Sequence, residues 1–404
     1  MKRFISVLSI LGLAISSCSP GVGVKTLPPA PVPVKNTSLS LPPTPKPFSL
    51  PPTNTPFPFA PTATPTSAPP TVAPGGFPRR FHVQGNAFVD QYGEKMIFRG
   101  MAPVDPLYQI MYTALPPDQG GWSEHHYQVM AEWGANIVRI PIGPDDLRNF
   151  INRNNPYEAF HVLDQTIAWI GENKMYAILD YHSIGWPPET PNNYYQPNVG
   201  AETSPTETMN FWKMISKRYA DNDVVAFYEL FNEPETLAQS QGKLGTTAEW
   251  REWRDFMQEV IKVVRANDPD KIILVGGMNN AYDLSFLADP SNAIEGRNIA
   301  YATHPYSPRT DPSWDKAFGN LSARSPVFAT ELGYNTADFP DIKIRGVPYH
   351  QAIIDYFEAH QISWTVWCFD AVWQTTLLID NQNYTPSPSG EYFRSRMLEL
   401  NQHP

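Results

Sequence analysis

Two glutamates, Glu233 and Glu331, stand where this chain could do chemistry. The first lies in Phe227-Tyr228-Glu229-Leu230-Phe231-Asn232-Glu233-Pro234, the second in Val327-Phe328-Ala329-Thr330-Glu331-Leu332-Gly333. Each carboxylate follows a short apolar run and precedes a turn. A strand with an acid at its C-terminal end delivers that acid to the mouth of a parallel barrel or sheet, and two such strands can set two acids face to face. Cleaving a glycosidic bond with retention needs one protonated acid to assist the leaving group and one ionised carboxylate to attack the anomeric carbon, about 5–5.5 Å apart. Neighbouring carboxylates raise one another's proton affinity, which can keep one of them protonated near neutral pH.

The elements that must position these acids alternate along the chain. Short apolar runs fall at 99–101, 136–140, 176–180, 225–231, 272–275, 299–303, 327–330 and 363–368. Helix-like stretches lie between or after them at 206–219, 250–266, 349–360 and 390–400, with apolar spacing of three and four at Trp253, Phe256, Val260 and Val264. A hairpin precedes them: Ala87-Phe88-Val89, a turn at Asp90-Gln91-Tyr92-Gly93, then Lys95-Met96-Ile97-Phe98. Strands alternating with helices imply a parallel sheet. Eight of them predict an α/β fold of the (β/α)8 TIM-barrel type, with its site at the C-terminal strand ends. An open doubly wound sheet is disfavoured, since no Gly-rich phosphate loop follows the first strand.

The strand ends collect polar residues: Arg139 on the second, Asp180-Tyr181-His182 after the third, Asn232-Glu233 on the fourth, His304-Pro305-Tyr306 after the sixth, Glu331 on the seventh and Trp367 on the eighth. His182, His304 and Asp180 could suggest a metal, but no spacing such as His-Glu-x-x-His occurs, so no metal or other cofactor is expected. Two loops on the same face are rich in aromatics, one with Trp186, Tyr194 and Tyr195 and one with Trp373. Long loops there normally carry substrate contacts.

This set of motifs resembles glycoside hydrolase family 5, within the clan of retaining (β/α)8 glycosidases. The hairpin, Arg139-Ile140-Pro141, Asp180-Tyr181-His182, Asn232-Glu233-Pro234, His304-Pro305-Tyr306, Thr330-Glu331-Leu332-Gly333 and Trp367 carry the resemblance, and they span essentially the whole folded part. The resemblance implies Glu233 as acid/base and Glu331 as nucleophile. It implies Arg139 and Tyr306 as hydrogen-bond donors to the nucleophile and Asn232 as the partner of the sugar 2-hydroxyl. His182 and His304 would bind sugar or tune the acid, and Trp367 would stack under the reacting sugar. Cys368 reads as a small buried hydrophobe.

Composition bounds the rest. The chain has 404 residues and two cysteines, Cys18 and Cys368, so a structural disulfide is not expected. Residues 19–78 hold about one proline in three and no Asp or Glu. Proline lacks the N–H and fixes φ, so this stretch reads as a disordered Pro/Thr-rich linker of polyproline II character. Residues 79–404 are then the catalytic domain. Lys2-Arg3 followed by the apolar stretch 4–15 and by Ile15-Ser16-Ser17-Cys18 resembles a bacterial lipoprotein signal, with Cys18 as the lipidated residue; an ordinary signal peptide is the alternative. The reading places the protein outside the cytoplasm, held to a membrane by a lipid anchor, as a monomer. The chain's net charge is −10 and all its Asp and Glu lie in the folded part, without a basic stripe, so nucleic acid is not an expected partner.

The expected activity is retaining hydrolysis of a β-linked polysaccharide or oligosaccharide, most simply an endo-β-1,4-glucan. β-Mannanase, exo-glycosidase and transglycosylase readings use the same site. A catalytically dead carbohydrate-binding lipoprotein is the reading from another class, and the intact glutamate pair argues against it.

Overall fold

The computed structural model describes residues 76–113, 121–153, 156–188, 203–307, 312–334, 347–373 and 375–401. The signal segment, Cys18, nearly all of the linker and the aromatic stretch 192–195 lie outside the described residues.

The eight apolar runs form eight parallel strands: β1 (Arg99–Ala102), β2 (Ile137–Ile142), β3 (Tyr176–Tyr181), β4 (Val225–Glu229), β5 (Ile272–Gly276), β6 (Ile299–Ala302), β7 (Val327–Ala329) and β8 (Ser363–Trp367). They close into a barrel in chain order, β8 returning to β1 with Trp364 opposite Arg99 and Trp367 opposite Ala102. The expected (β/α)8 architecture is therefore the observed one.

Local chemistry sets the helices around it. In the helix Thr247–Arg265, Thr246 and Glu249 cap each other's backbone N–H groups at the N-terminus. Its buried residues Trp250, Trp253, Phe256, Met257, Val260, Ile261 and Val264 form one stripe against the barrel. In the helix Pro205–Tyr219, Ser204 caps Glu207 N and Pro205 occupies the first turn, where its missing N–H costs nothing. The outer layer is less regular between β5 and β6. Two 3-10 turns, Ser285–Ala288 and Pro290–Asn292, replace a long helix there. Pro290 and the side chain of Asp289, which accepts from Ser291 N, favour a turn at that point.

The N-terminal hairpin differs from expectation. A further strand, Phe81–Gln84, pairs antiparallel with Ala87–Asp90, which pairs with Lys95–Met96, so a three-stranded sheet forms. Asp90 Oδ1 accepts from the backbone N–H of Tyr92 and Glu94, which closes the predicted turn. Phe81, Phe88 and Phe98 pack with Tyr176, Phe227 and Phe328 into an aromatic plug at the N-terminal end of the barrel. The Phe98 and Phe227 rings meet edge to face at 4.9 Å. Each ring so buried contributes about 1.5–3 kcal/mol. Phe77 adds its ring 4.9 Å from that of Tyr176, so packing onto the barrel begins before Arg79.

The plug determines what lies above it. Side chains on a strand alternate faces, so inward positions recur every second residue. Two residues beyond the apolar layer of Ile137, Ile178, Phe227, Ala302 and Phe328 come Arg139, Asp180, Glu229, His304 and Thr330. The interior thus changes from greasy to ionic in one step toward the C-terminal mouth.

Candidate active site

Glu233 and Glu331 sit just past that ionic layer, each held by a short parallel extension of the barrel. Glu233–Pro234 pairs with Ile184–Gly185, and Glu233 N donates to Ser183 O at 3.0 Å. Gly333–Tyr334 pairs with Tyr306–Ser307, two residues after Glu331. Gly333 is required for this: a Cβ there would lie 2.6 Å from Tyr306 Cε1, and the ring could not rest beside the strand. The Glu233 side chain is 16% exposed and the Glu331 side chain 9%. Side-chain ligand atoms of Glu233, His304 and Glu331 all lie within 4.8 Å of one another.

Arg139 organises the nucleophile side. Fully buried, it donates from Nε to Glu229 Oε2 at 2.7 Å, from Nη1 to Glu331 Oε2 at 2.8 Å and from Nη2 to Asn232 Oδ1 at 2.7 Å. Nη2 also lies 3.0 Å from Asp180 Oδ2. Tyr306 OH donates to the other Glu331 oxygen at 2.6 Å. Burial alone would raise the proton affinity of Glu331. The charges of His304, Arg139 and His182 and the Tyr306 hydroxyl outweigh it and hold this carboxyl below its ordinary range.

His304 organises the other side. It is wholly buried, with Nδ1 3.2 Å from Glu233 Oε1 and Nε2 3.0 Å from Thr330 Oγ1 and 3.4 Å from Glu229 Oε1. It therefore touches Glu233 directly. Burial would lower the imidazole pKa, but the carboxylates of Glu331, Glu229 and Glu233 lift it to about 9. Glu229 lies between His304 and Arg139, accepting also from Thr330 Oγ1 at 2.6 Å. Burial pushes its pKa up, and Arg139 and His304 bring it down to about 2.

His182 and Trp367 form the third part. Their rings stack at 5.4 Å with 14° between planes, and His182 Nδ1 lies 2.7 Å from Asp180 Oδ2. The His182 side chain remains 25% exposed, so one face of Trp367 is covered by a partly open imidazole. The peptide that follows, Trp367–Cys368, is cis, and Cys368 is fully buried. All eight residues singled out in the sequence thus converge on one mouth.

Trp186, expected in a substrate-facing loop, is buried against Trp253 at 5.4 Å between ring centroids and belongs to the core. Glu229 and Thr330 were not singled out. The available signal was a carboxylate inside an apolar strand, two residues beyond the inward Phe227, because a charge so placed must find a buried partner. Trp373 does stand at the surface: it is 44% exposed, 5.7 Å from Tyr108, whose ring is 4.9 Å from that of Tyr112.

Among the described residues, Glu233, His304 and Glu331 are the group spaced closely enough to hold a metal ion. The donor set suits one poorly. A cation would have to displace the His304 proton and lie near the Arg139 guanidinium, which already takes Glu331 Oε2.

Residues 90–372 match the family model described as cellulase, glycosyl hydrolase family 5. The chain is 25% identical to an endoglucanase of Paenibacillus polymyxa over 71% of its own length and 79% of that protein's. It is also 25% identical to endoglucanase E-5 of Thermobifida fusca, covering 66% of this chain but only 54% of the relative. Among solved structures, the β-glucanase SdGluc5_26A of Saccharophagus degradans superposes with a TM-score of 0.68 and 32% identity, over 80% of this chain and 94% of that one. With the closed barrel and a family match over most of its folded part, the chain belongs to the cellulase family, glycosyl hydrolase family 5.

Proposed function

We propose that the protein is a retaining endo-β-1,4-glucanase working by double displacement. The observation that carries this is the approach of Glu233 and Glu331 to within 4.8 Å. Retaining enzymes hold their carboxyl groups about 5–5.5 Å apart, and inverting ones about 6.5–9.5 Å apart to admit a water between them. Glu331, kept ionised by Arg139 and Tyr306, attacks the anomeric carbon as the glycosidic C–O bond breaks. Glu233 gives its proton to the departing oxygen, then takes one from the water that hydrolyses the glycosyl-enzyme. Asn232, whose Oδ1 is held by Arg139, turns its amide nitrogen to the sugar 2-hydroxyl. His182, with Nδ1 engaged by Asp180, offers Nε2 to a sugar hydroxyl, and Trp367 supports the ring.

The choice of glucan is supported by endoglucanases among the relatives and by the solution of the Saccharophagus β-glucanase with cellotetraose. A reducing-sugar screen against β-glucan, mannan and xylan tests the substrate, and proton NMR of the first-formed product tests the stereochemistry. A product of inverted configuration overturns the mechanism; activity confined to mannan overturns the substrate.

The half-buried ring of Tyr108 and the exposed rings of Tyr112 and Trp373 follow β1 and β8, on the rim that carries Trp367. They are suited to hold further sugars of a long chain. Trp373→Ala should raise KM for cellopentaose about two- to tenfold, matching the roughly 0.5–1.5 kcal/mol of one aromatic contact, and leave an aryl cellobioside unaffected. An unchanged KM for cellopentaose removes these rings from the cleft.

The lipid anchor at Cys18 belongs to the same proposal, on the strength of the charged, apolar and small-residue succession that precedes it. Cys18→Ala should leave the chain unprocessed or release it from membranes. Normal cleavage and unchanged membrane partitioning in that variant would rule the anchor out.

A further inference from the structure

Glu229 is a fully buried carboxylate at the end of β4, four residues before Glu233. It cannot touch sugar, yet its two oxygens face the two halves of the site. Oε2 accepts from Arg139 Nε at 2.7 Å, and Arg139 in turn holds Glu331. Oε1 accepts from Thr330 Oγ1 at 2.6 Å and lies 3.4 Å from His304 Nε2, whose ring reaches Glu233 through Nδ1.

We propose that Glu229 is a positioning residue for both glutamates: its charge holds the Arg139 fork against Glu331 and keeps a proton on each nitrogen of His304, so that Nδ1–H is presented to Glu233. The inference rests on Glu233 and Glu331 being the reacting pair. Its physical basis is that a neutral imidazole has one N–H, and which nitrogen carries it depends on the partners. A neutral His304 that kept its hydrogen at Nε2, toward Glu229, would turn a lone pair to Glu233 and compete for the very proton the leaving group needs. A doubly protonated ring donates at both ends and leaves the Glu233 proton to the substrate.

Charged groups face this pair from four strands, while the intervening β5 is apolar: Arg139 from β2, Asp180 from β3, Glu233 beyond β4 and Glu331 beyond β7. Asp180 is already engaged by Arg139 Nη2 at 3.0 Å and His182 Nδ1 at 2.7 Å, so it is a weak substitute for Glu229 as a counter-charge. Arg139 and His304 bring the Glu229 pKa down to about 2, and the facing carboxylates lift that of His304 to about 9.

A core ion pair with no further role would lower stability when altered and leave the pH profile in place. The test therefore compares kcat/KM against pH for wild type, Glu229→Gln and Glu229→Asp on a cellooligosaccharide. In Glu229→Gln the alkaline limb should move to lower pH by about one to three units, the usual effect of losing one close opposite charge. kcat should fall with KM little changed. Glu229→Asp keeps the charge and should keep the wild-type limb despite a lower kcat. A Glu229→Gln profile that superimposes on wild type overturns the proposal, as does an Asp variant that shifts like the Gln one. If Glu229→Gln fails to fold, histidine 15N NMR of the unaltered protein decides, with His304 assigned by the signal missing from His304→Gln. An imidazolium at pH 7.5 supports the proposal, and a neutral ring overturns it. The NMR measurement needs no turnover, so a protein inactive on every glucan would refute the reaction and leave this test standing.

Discussion

Glu331→Ala abolishes turnover of every glycoside offered, whereas Glu233→Ala spares the first step for aryl glycosides with good leaving groups. The difference follows from what each oxygen can reach. Glu331 is pinned between Arg139 and Tyr306, which hold one oxygen each, and Arg139 and His304 favour its ionised form. Without it no glycosyl-enzyme forms, whatever the leaving group. Glu233 is more exposed and has His304 as its neighbour, an arrangement suited to exchanging a proton with substrate and then water. Its loss should cost about 10²–10⁴-fold on a glucan, the usual contribution of general acid catalysis, and much less on an activated aryl glycoside. Azide should then rescue Glu233→Ala by replacing the water that is no longer activated, and a β-linked substrate should yield a β-glycosyl azide. The opposite assignment requires an α-azide from Glu233→Ala and β-azide rescue at Glu331→Ala. Proton NMR of the azide product separates the two.

Arg139→Met should cost about 3–5 kcal/mol in urea unfolding at pH 7, together with essentially all activity. The guanidinium is the shared partner of Glu229, Asp180 and Glu331, all of them buried. Methionine fills part of the volume but leaves carboxylates that have lost their counter-charge. Those groups can regain neutrality only by taking up protons, so the deficit should shrink as the pH falls. The wild type moves the other way. Glu229, with its pKa brought down to about 2, contributes stability that is present above its ordinary range and is lost as pH drops toward that value. The two unfolding curves should therefore converge as the pH falls below about 4.5 toward 2. A variant within 1 kcal/mol of wild type at pH 7, or a gap that widens in acid, would show that the cluster does not depend on this charge. Lysine is not a substitute, because a point charge cannot reach three partners in the directions the fork does.

The sequence by itself determined the barrel and the places of its two acids, because those signals are local. Each strand is a short apolar run with a turn former after it, and a helix cap spans four residues, as from Thr246 to Glu249. Pro234 and Gly333 are turn formers close after the two acids, so Glu233 and Glu331 could be read as mouth residues from their neighbours alone. Short elements were less legible: the strand Phe81–Gln84 alternates apolar and polar residues over only four positions, and the stretch after β5 gives way to turns at Pro290. Tertiary structure alone decided which buried polar groups meet. Arg139 finds Glu229 at 90 residues' separation and Glu331 at 192, through strand register that only the closed barrel sets. The same holds for aromatics. Trp186 and Trp373 both sit in loops after strands, yet one packs on Trp253 in the core and the other stands at the surface beside Tyr108. The burial of a ring or a charge depends on what the rest of the chain brings against it, and no window of sequence contains that information.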